Sequence, residues 1–310
     1  MNQWIAVTSL CLLDVIATPA PAATAVAKDG DRSEGVLRAQ VLLDRANFSP
    51  GEIDGIFGKK LHVALVGYQK AHELDDDGQL DQKTWDALNE DNAPTLVTYT
   101  IADADVAGPF QIVPEEMMEK ANMTSLGYGS PAELLGEKFH VRPEILQKLN
   151  RGKDFSRAGE EIQVPNVTRA SLPKASKVIV TKSTSTVSLA DADGKVIAQF
   201  PASSGSEHDP LPIGDAKING VSRHPEFHYN PKLFWDADSK DEKATIRPGP
   251  NNPVGVVWVD LSIKHYGIHG TPEPRNIGKT ESHGCIRLTN WDATELADAV
   301  HPGMPAILRR

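Results

Sequence analysis

The chain has 310 residues, a length at which two or three domains of ordinary size are expected. Hydrophobic residues make up 40% of it, which is enough to build packed cores and excludes an intrinsically disordered chain. The 32 Lys and Arg residues against 42 Asp and Glu residues give a net charge of −10, and no basic stripe interrupts this balance. These features exclude nucleic acid as an expected partner.

The first 25 residues predict a secretory signal peptide. Residues 5–17 form an apolar stretch of the length typical of a signal-peptide core, although Asp14 interrupts it. Small residues follow in Ala20-Pro21-Ala22 and then in Ala23-Thr24-Ala25, and both triplets fit a cleavage site. We therefore expect residues 1–25 to be removed on export.

Residues 36–92 predict a small all-α domain of three helices. Apolar side chains recur at helical spacing in two segments, a short third segment follows, and Gly-containing turns separate them. The apolar positions are Val36, Ala39 and Leu43, then Leu61, Leu65 and Tyr68, then Trp85 and Leu88.

This helical unit resembles the three-helix peptidoglycan-binding domain found beside cell-wall enzymes. The resemblance rests on the turn from Asp54 to Gly58 before the second helix, on Tyr68-Gln69 near its end, and on Asp77-Gly78 followed by Thr84-Trp85. It implies peptidoglycan as a partner of this domain.

Residues 97–167 predict an α+β module. Two pairs of apolar residues at helical spacing lie within residues 135–149, and residues 159–165 read Gly-Glu-Glu-Ile-Gln-Val-Pro. This second half resembles that of the LysM glycan-binding module, a strand–helix–helix–strand unit. The first half departs from the pattern, because a long insertion separates an opening strand at residues 99–101 from the helices. We expect a degenerate LysM-like spacer.

From about residue 175 the pattern changes to short β-strands, with Asp193-Gly194 as a hairpin turn. A helix is predicted near the end, over residues 291–300, with Thr289 or Asn290 as its N-cap. Residues 175–310 therefore predict a mainly-β, β-sandwich-like domain. The predicted strands are 178–181, 186–190, 196–201, 254–261 and 266–269.

The chain has two cysteines, Cys11 and Cys285. Cys11 lies in the predicted leader, so the mature protein keeps Cys285 as its one thiol and cannot form an intramolecular disulfide. A thiol at its ordinary pKa is mostly protonated at neutral pH, so a catalytic role for Cys285 requires a base or a cation nearby. The candidate bases are His269, at the end of a predicted strand, and His283.

Cys285 belongs to a longer pattern that begins with His269-Gly270. On an extended backbone His283 and Cys285 would share one face, and Gly284 would let the chain approach a substrate closely. This pattern resembles the motif of the L,D-transpeptidases, bacterial cell-wall enzymes with a YkuD-type catalytic domain, and the resemblance covers residues 175–310. The second half of the motif reads Ser282-His283-Gly284-Cys285-Ile286-Arg287-Leu288, with Asn290 in its trailing position.

The resemblance implies a role for each motif residue. Cys285 would be the nucleophile, and His269 the general base that activates it. The carbonyl of Gly270 would hold the His269 ring in its productive tautomer. The backbone N–H groups of His283, Gly284 and Cys285 would stabilise the tetrahedral oxyanion.

Two further residues are candidates for substrate binding. Arg287 suits a substrate carboxylate, or alternatively braces the loop through an ion pair. Ser282 is expected to hydrogen-bond within the loop rather than to react. The resemblance implies no metal and no organic cofactor.

The implied reaction is acyl transfer on a peptidoglycan tetrapeptide stem. The thiolate attacks the carbonyl at the L centre of the third stem residue, D-Ala leaves, and an amine resolves the thioester. The amine would come from another stem, giving a 3-3 crosslink, or from an outer-membrane protein to be anchored. Water as acceptor would make the enzyme an L,D-carboxypeptidase. The resemblance also implies a periplasmic location, a part in wall organisation and cell shape, and covalent inhibition by carbapenems.

Two readings of a different class stay open. His265, His269, His283 and Cys285 are soft ligands in sufficient number for a tetrahedral zinc ion, which would suit a metallo-hydrolase. The domain could also be a catalytically dead wall-binding protein.

Overall fold

The computed structural model of the protein describes residues 30–169, 171–280 and 283–310. The predicted signal peptide, with Cys11, and the motif residue Ser282 lie outside the described residues. Within the described ranges, no helix combines the length and the apolar character that crossing a membrane requires.

The N-terminal unit contains the three helices α1 (Glu34–Arg45), α2 (Lys59–Ala71) and α3 (Gln82–Leu88). Side chains cap two of them: the Ser33 hydroxyl accepts from the N–H of Val36, and the Asp81 carboxylate accepts from that of Thr84. The predicted apolar positions form one core, in which Trp85 is partly buried and the others are buried. The all-α prediction for this unit is confirmed.

The spacer has two antiparallel strands with its two longest helices between them in sequence. This is the predicted strand–helix–helix–strand order, and the identification with LysM stays a prediction. The predicted insertion carries two short helices of its own. The elements are β1 (Leu96–Thr100), α4 (Asp103–Val106), α5 (Met117–Ala121), α6 (Pro131–Lys138), α7 (Pro143–Leu149) and β2 (Glu161–Pro165).

The C-terminal domain is built on one sheet of nine strands in the order β5-β4-β3-β13-β7-β10-β11-β12-β6, and β8 and β9 form a separate hairpin, as far as the described residues go. Among the residues described for this domain, the one α-helix is α8 (Asn290–Ala299), which follows a Thr289 cap. The strands are β3 (Lys177–Thr181), β4 (Thr186–Ala190), β5 (Val196–Pro201), β6 (Ser203–Ser204), β7 (Gly214–Arg223), β8 (Phe227–Tyr229), β9 (Ala244–Ile246), β10 (Val257–Leu261), β11 (Gly267–His269), β12 (Ile286–Arg287) and β13 (Pro305–Arg309).

Strand β7 joins the two halves of the sheet. Its first residues pair with β13 and its later residues with β10, where the register shifts between Asp260 and Leu261. Inward side chains from both halves, among them Val180, Phe200 and Ile268, share one core with α8. The predicted β-sandwich-like domain is thus a mainly-β domain whose single sheet bends into a barrel-like shape around that core.

The insertion of the spacer packs under the β8–β9 hairpin of the C-terminal domain. Leu126 is fully buried there against Tyr229 and Ile246, with Met117 and Phe234 at the margin of the cluster. The segment that departs from the LysM pattern therefore supports a hairpin of the neighbouring domain.

The N-terminal unit covers the edge of the sheet at β5. The N–H of Gln199 donates to the carbonyl of Asn47, and the N–H of Ser49 donates to the carbonyl of Gln199. The Gln199 side chain also donates to the carbonyl of Val63 in α2. These bonds satisfy backbone groups that an open edge strand would expose.

A buried ionic cluster joins all three units. The Arg169 guanidinium lies 2.6 Å from the Asp44 carboxylate in α1 and 2.7 Å from that of Asp292 in α8. His140 of the spacer contacts Asp44 at 3.0 Å and stacks on the Trp291 ring. Burial opposes ionisation of Asp44, but Arg169 and His140 outweigh it and hold the pKa of this carboxyl well below its usual range.

We expect Arg169→Ala to lower the free energy of unfolding by about 3–5 kcal/mol, because it leaves two buried carboxylates without their shared cation. Chemical denaturation measures this loss. Arg223→Ala is the control: its pair with Asp298 is largely exposed, and its loss should cost less than about 1 kcal/mol. Equal losses for both variants would contradict a structural role for the cluster.

The same cluster predicts how stability depends on pH. Because the pKa of Asp44 is depressed in the folded state, its contribution is fully present above the unfolded value of about 3.9 and is lost as the pH falls further. Unfolding followed between pH 5 and pH 2 should therefore show a steep loss of stability for the wild type. A flat profile over this range would contradict the prediction.

Candidate active site

The two halves of the motif meet in the parallel pair of strands β11 and β12. Ile268 pairs with Ile286, and His269 pairs with Arg287. Ile268 and Ile286 point into the core, so His269 and Arg287 project from the opposite face. Cys285 directly precedes β12, two residues before Arg287.

Trp258 of strand β10 stacks on the His269 ring and holds it in place. It pairs with His269 in the sheet, and the two rings stack at 5.5 Å between centroids with an interplanar angle of 15°. The indole also lies over Gly267, where a Cβ would come within 2.4 Å of it. The sequence analysis did not single out Trp258. Its position alternates with the core residues of β10, and only the structure shows that this alternation places it on the face of the sheet that carries His269.

His269 is buried, and its Nδ1 lies 2.7 Å from the carbonyl oxygen of Gly270. An N–H at Nδ1 that donates to this carbonyl leaves Nε2 as an acceptor. Burial, together with the charge of Arg287, lowers the pKa of His269 to about 4, although the bond to Gly270 works in the other direction. The imidazole is therefore neutral at neutral pH and able to take a proton.

Cys285 is partly buried, and its thiol donates to the carbonyl oxygen of His265 at 3.6 Å. Burial raises the pKa of the Cys285 thiol above its ordinary value, against a backbone hydrogen bond of Gly267 and the charge of Arg287, which lower it. The thiol and the imidazole are thus both neutral at neutral pH.

Gly284 turns the backbone just before the cysteine. Its φ is +96°, in the left-handed region that favours glycine, and an added Cβ would lie 2.8 Å from the Tyr266 ring. The backbone at this point is therefore not the extended segment on which His283 and Cys285 were expected to share a face.

His283 is held by the β8–β9 hairpin. Its Nε2 lies 2.8 Å from Asp236, and its ring contacts those of Phe234 and Trp235 at 5.0 and 5.6 Å. The connection between β8 and β9 thus covers the motif loop. Asp236 is a site residue that the sequence did not indicate, because it lies 47 positions before His283.

Asn290 lies directly behind the catalytic histidine candidate. Its Oδ1 accepts from the N–H of Val256 at 3.2 Å, and its Nδ2 donates to the carbonyl of Pro250 at 3.1 Å. Its side chain fills the space beside Gly255 and Gly270, where a Cβ would approach Oδ1 to 2.0 and 2.1 Å. The two glycines let Asn290 contact the backbone that carries the Gly270 carbonyl.

Arg287 and Ser203 continue the same row across the sheet, since Arg287 pairs with Ser203 of β6. Ser203 accepts from the N–H of Gly278 in the loop between the motif halves. The structure thus brings His269, Cys285 and Arg287 together. Ser282 lies outside the described residues.

An open groove of about 450 Å³ lies between the β8–β9 hairpin and His265, the residue whose carbonyl contacts the thiol. This volume is in the range of sites for small ligands. Its remaining lining residues are His228, Tyr229, Asn230, Leu233, Lys243, Ala244 and Thr245.

The side chains proposed as zinc ligands have separate partners. His269 Nδ1 faces Gly270, and His283 Nε2 faces Asp236. Among the residues that the structure describes, no three His, Cys, Asp or Glu side chains converge in a way that could hold a metal ion. The geometry gives the zinc reading no support.

Two family models match parts of this chain. Residues 175–308 match the family model of the L,D-transpeptidase catalytic domain, YkuD, and residues 32–88 match that of a peptidoglycan binding domain. A Bacillus licheniformis protein provisionally named L,D-transpeptidase YkuD is 53% identical over 57 residues, which are 18% of this chain and 34% of that protein. The chain thus spans about a third of the length of this relative.

Two further matches extend over more of the C-terminal domain. A Bacillus subtilis protein provisionally named L,D-transpeptidase YqjB is 28% identical over 143 residues, 44% of this chain and 73% of that protein. The crystal structure of L,D-transpeptidase 3 from Mycobacterium tuberculosis with a faropenem-derived adduct covers 49% of this chain and 75% of its own, at 18% identity and a TM-score of 0.37.

The pKa directions at the site predict how the thiol reacts. Because the pKa of Cys285 is raised, its alkylation by iodoacetamide should be slow at pH 7 and should still increase above pH of about 8.5, the ordinary thiol pKa. Mass spectrometry of the tryptic peptide 280–287 measures this rate separately from Cys11. A rate that is already maximal near pH 6 would instead indicate a thiolate–imidazolium pair.

Proposed function

We propose that this chain, whose residues 175–308 match the YkuD family model of L,D-transpeptidase catalytic domains and whose residues 32–88 match that of a peptidoglycan binding domain, acts as a cysteine L,D-transpeptidase on peptidoglycan. One observation carries the proposal. The parallel pairing of β11 with β12 presents His269 beside the strand that Cys285 precedes, with His269 Nδ1 turned to the Gly270 carbonyl.

The first step is acylation of Cys285. His269 Nε2 takes the thiol proton as Sγ attacks the L-centre carbonyl of the third stem residue. The backbone N–H groups of His283, Gly284 and Cys285 stabilise the oxyanion. The C–N bond to D-Ala then breaks, and His269 returns the proton to the departing amine, which leaves a thioester on Cys285.

The second step transfers the acyl group to an amine. His269 removes a proton from the incoming amine, which attacks the thioester carbonyl, and the thiol leaves with that proton. The acceptor is the side-chain amine of another stem, which gives a 3-3 crosslink, or an amine of a protein to be anchored. Water in this step would give hydrolysis, and the masses of the products distinguish these outcomes.

The two neutral partners at rest support this sequence of steps. A neutral imidazole with a pKa of about 4 accepts the thiol proton only as the carbonyl is attacked, when the new charge lies on the oxyanion. The groove of about 450 Å³ is lined by His265, whose carbonyl accepts from the thiol, and offers room for part of a peptide stem. Carbapenems, whose strained carbonyl is open to the same attack, should acylate Cys285.

The N-terminal domain supports a location at the cell wall. A peptidoglycan-binding domain packed on the edge of the catalytic sheet holds the site close to its polymer. With the predicted signal peptide, we infer that the mature enzyme works in the periplasm.

We expect incubation with a disaccharide tetrapeptide to give wild-type enzyme the mass of an acyl adduct that has lost D-Ala. Cys285→Ala should give no adduct. His269→Gln should slow acylation at least about a hundredfold, since general-base catalysis contributes about 10²–10⁴. His301→Gln, an exposed histidine remote from the motif, is the control and should match wild type. An adduct that persists on Cys285→Ala would contradict the nucleophile assignment.

Arg287 is proposed to bind the terminal carboxylate of the donor stem. Loss of a charge-assisted hydrogen bond costs about 1.5–3 kcal/mol, so Arg287→Gln should raise KM for the donor by about tenfold or more. A donor amidated at that carboxyl should show no such difference between wild type and variant. A lowered melting temperature with an unchanged KM would instead indicate that Arg287 only braces the loop.

A further inference from the structure

A carboxylate of the spacer reaches the motif of the catalytic domain. Glu137, in α6, is partly buried, and Asn290 Nδ2 donates to its two oxygens at 3.0 and 3.2 Å. The Tyr128 hydroxyl donates to the same carboxylate at 3.1 Å. Glu137 and Asn290 are 153 positions apart in the sequence, so this contact exists only because the spacer is packed on the catalytic domain.

The contact fixes which way the Asn290 amide faces. With Nδ2 directed to Glu137 and the Pro250 carbonyl, Oδ1 faces the N–H of Val256 and accepts from it. A flipped amide would set its NH₂ group against the Val256 N–H and its oxygen against the Glu137 carboxylate, and both contacts are repulsive.

The Asn290 amide in turn contacts the backbone that holds the catalytic base. Oδ1 occupies the space where a Cβ on Gly270 would lie, and the carbonyl of Gly270 is the partner of His269 Nδ1. Glu137, Asn290, Gly270 and His269 therefore form a continuous chain of contacts from the spacer to the imidazole.

We propose that Glu137 is a positioning residue of the transpeptidase site, which holds the Asn290 amide so that the Gly270 carbonyl keeps His269 in its Nδ1–H tautomer. The inference rests on the proposed function for its catalytic meaning. It gives the spacer a part in the reaction that is independent of any glycan binding.

The surroundings of Glu137 suit this role. Burial raises the pKa of Glu137 to about 7, against the hydrogen bonds from Asn290 and Tyr128, and Glu133 adds a like charge nearby. Glu133 itself accepts from Gly129 and from Asn251. Glutamine is a conservative substitute for Glu137, because its amide keeps an acceptor oxygen in the same place.

The test uses three variants of the full chain. Glu137→Ala removes the acceptor, Glu137→Met removes it while filling the same space, and Glu137→Gln keeps it. ¹⁵N NMR of the imidazole, assigned with His269→Gln, reports the tautomer directly. We expect the Nδ1–H form in wild type and Glu137→Gln, and a shift toward the Nε2–H form in the other two.

Acylation by the tetrapeptide donor is the second measurement. Glu137→Ala and Glu137→Met should lower the maximal acylation rate at least tenfold with KM within about twofold, and Glu137→Gln should stay within about threefold of wild type. Should Glu137→Ala fail to fold, the comparison of Glu137→Met with Glu137→Gln still tests the proposal. Unchanged tautomer and rate in Glu137→Met would overturn the proposal.

Asp105→Asn is the matched control. Asp105 is a buried carboxylate of the same spacer, bonded to Tyr99 and Lys138 and not to the catalytic domain. This variant should lower the melting temperature but change neither the tautomer nor the acylation rate. Acylation that slows to the same extent would show that spacer stability alone matters.

A tautomer shift in Glu137→Met, with no acyl adduct on wild type, would support the positioning role of Glu137 and refute the transpeptidase function.

Discussion

The parallel pairing of β11 with β12 is the constraint on which the site depends. Parallel strands need a crossover connection, so the chain leaves the sheet after His269 and returns at Cys285. The pairing then turns Ile268 and Ile286 into the core and His269 and Arg287 to the opposite face. A shift of one residue in either strand would turn His269 and Arg287 toward the core and turn the isoleucines away from it.

The other units hold this pair in place from several sides. Gly278 in the crossover bonds to Ser203 of the outermost strand, and the spacer insertion packs under the hairpin whose Asp236 contacts His283. The cluster around Arg169 fixes α8, at whose start Asn290 stands, to the N-terminal unit. The N-terminal unit and the spacer are thus parts of one packed body with the C-terminal domain.

Burial sets the chemistry of the site. The same desolvation that lowers the pKa of His269 raises that of Cys285, so both groups are neutral until a substrate arrives. In the proposed reaction, charge develops only during attack, in a setting where fixed dipoles act strongly because little water competes with them. The stacked Trp258 ring and the Gly270 carbonyl orient the imidazole for that moment.

The sequence by itself determined the helical unit, most strands of the first half of the sheet, and the motif that makes His269 and Cys285 the candidate reacting residues. Each of these depends on local sequence signals, namely the spacing of apolar residues, helix-capping residues and a short motif. The sequence did not predict the strands β7 and β13, nor the contacts of Glu137 and Asp236. Their roles depend on neighbours that are far away in the chain. Only the tertiary structure decided these, since packing free energy, and not local preference, selects which distant polar groups meet when they are buried.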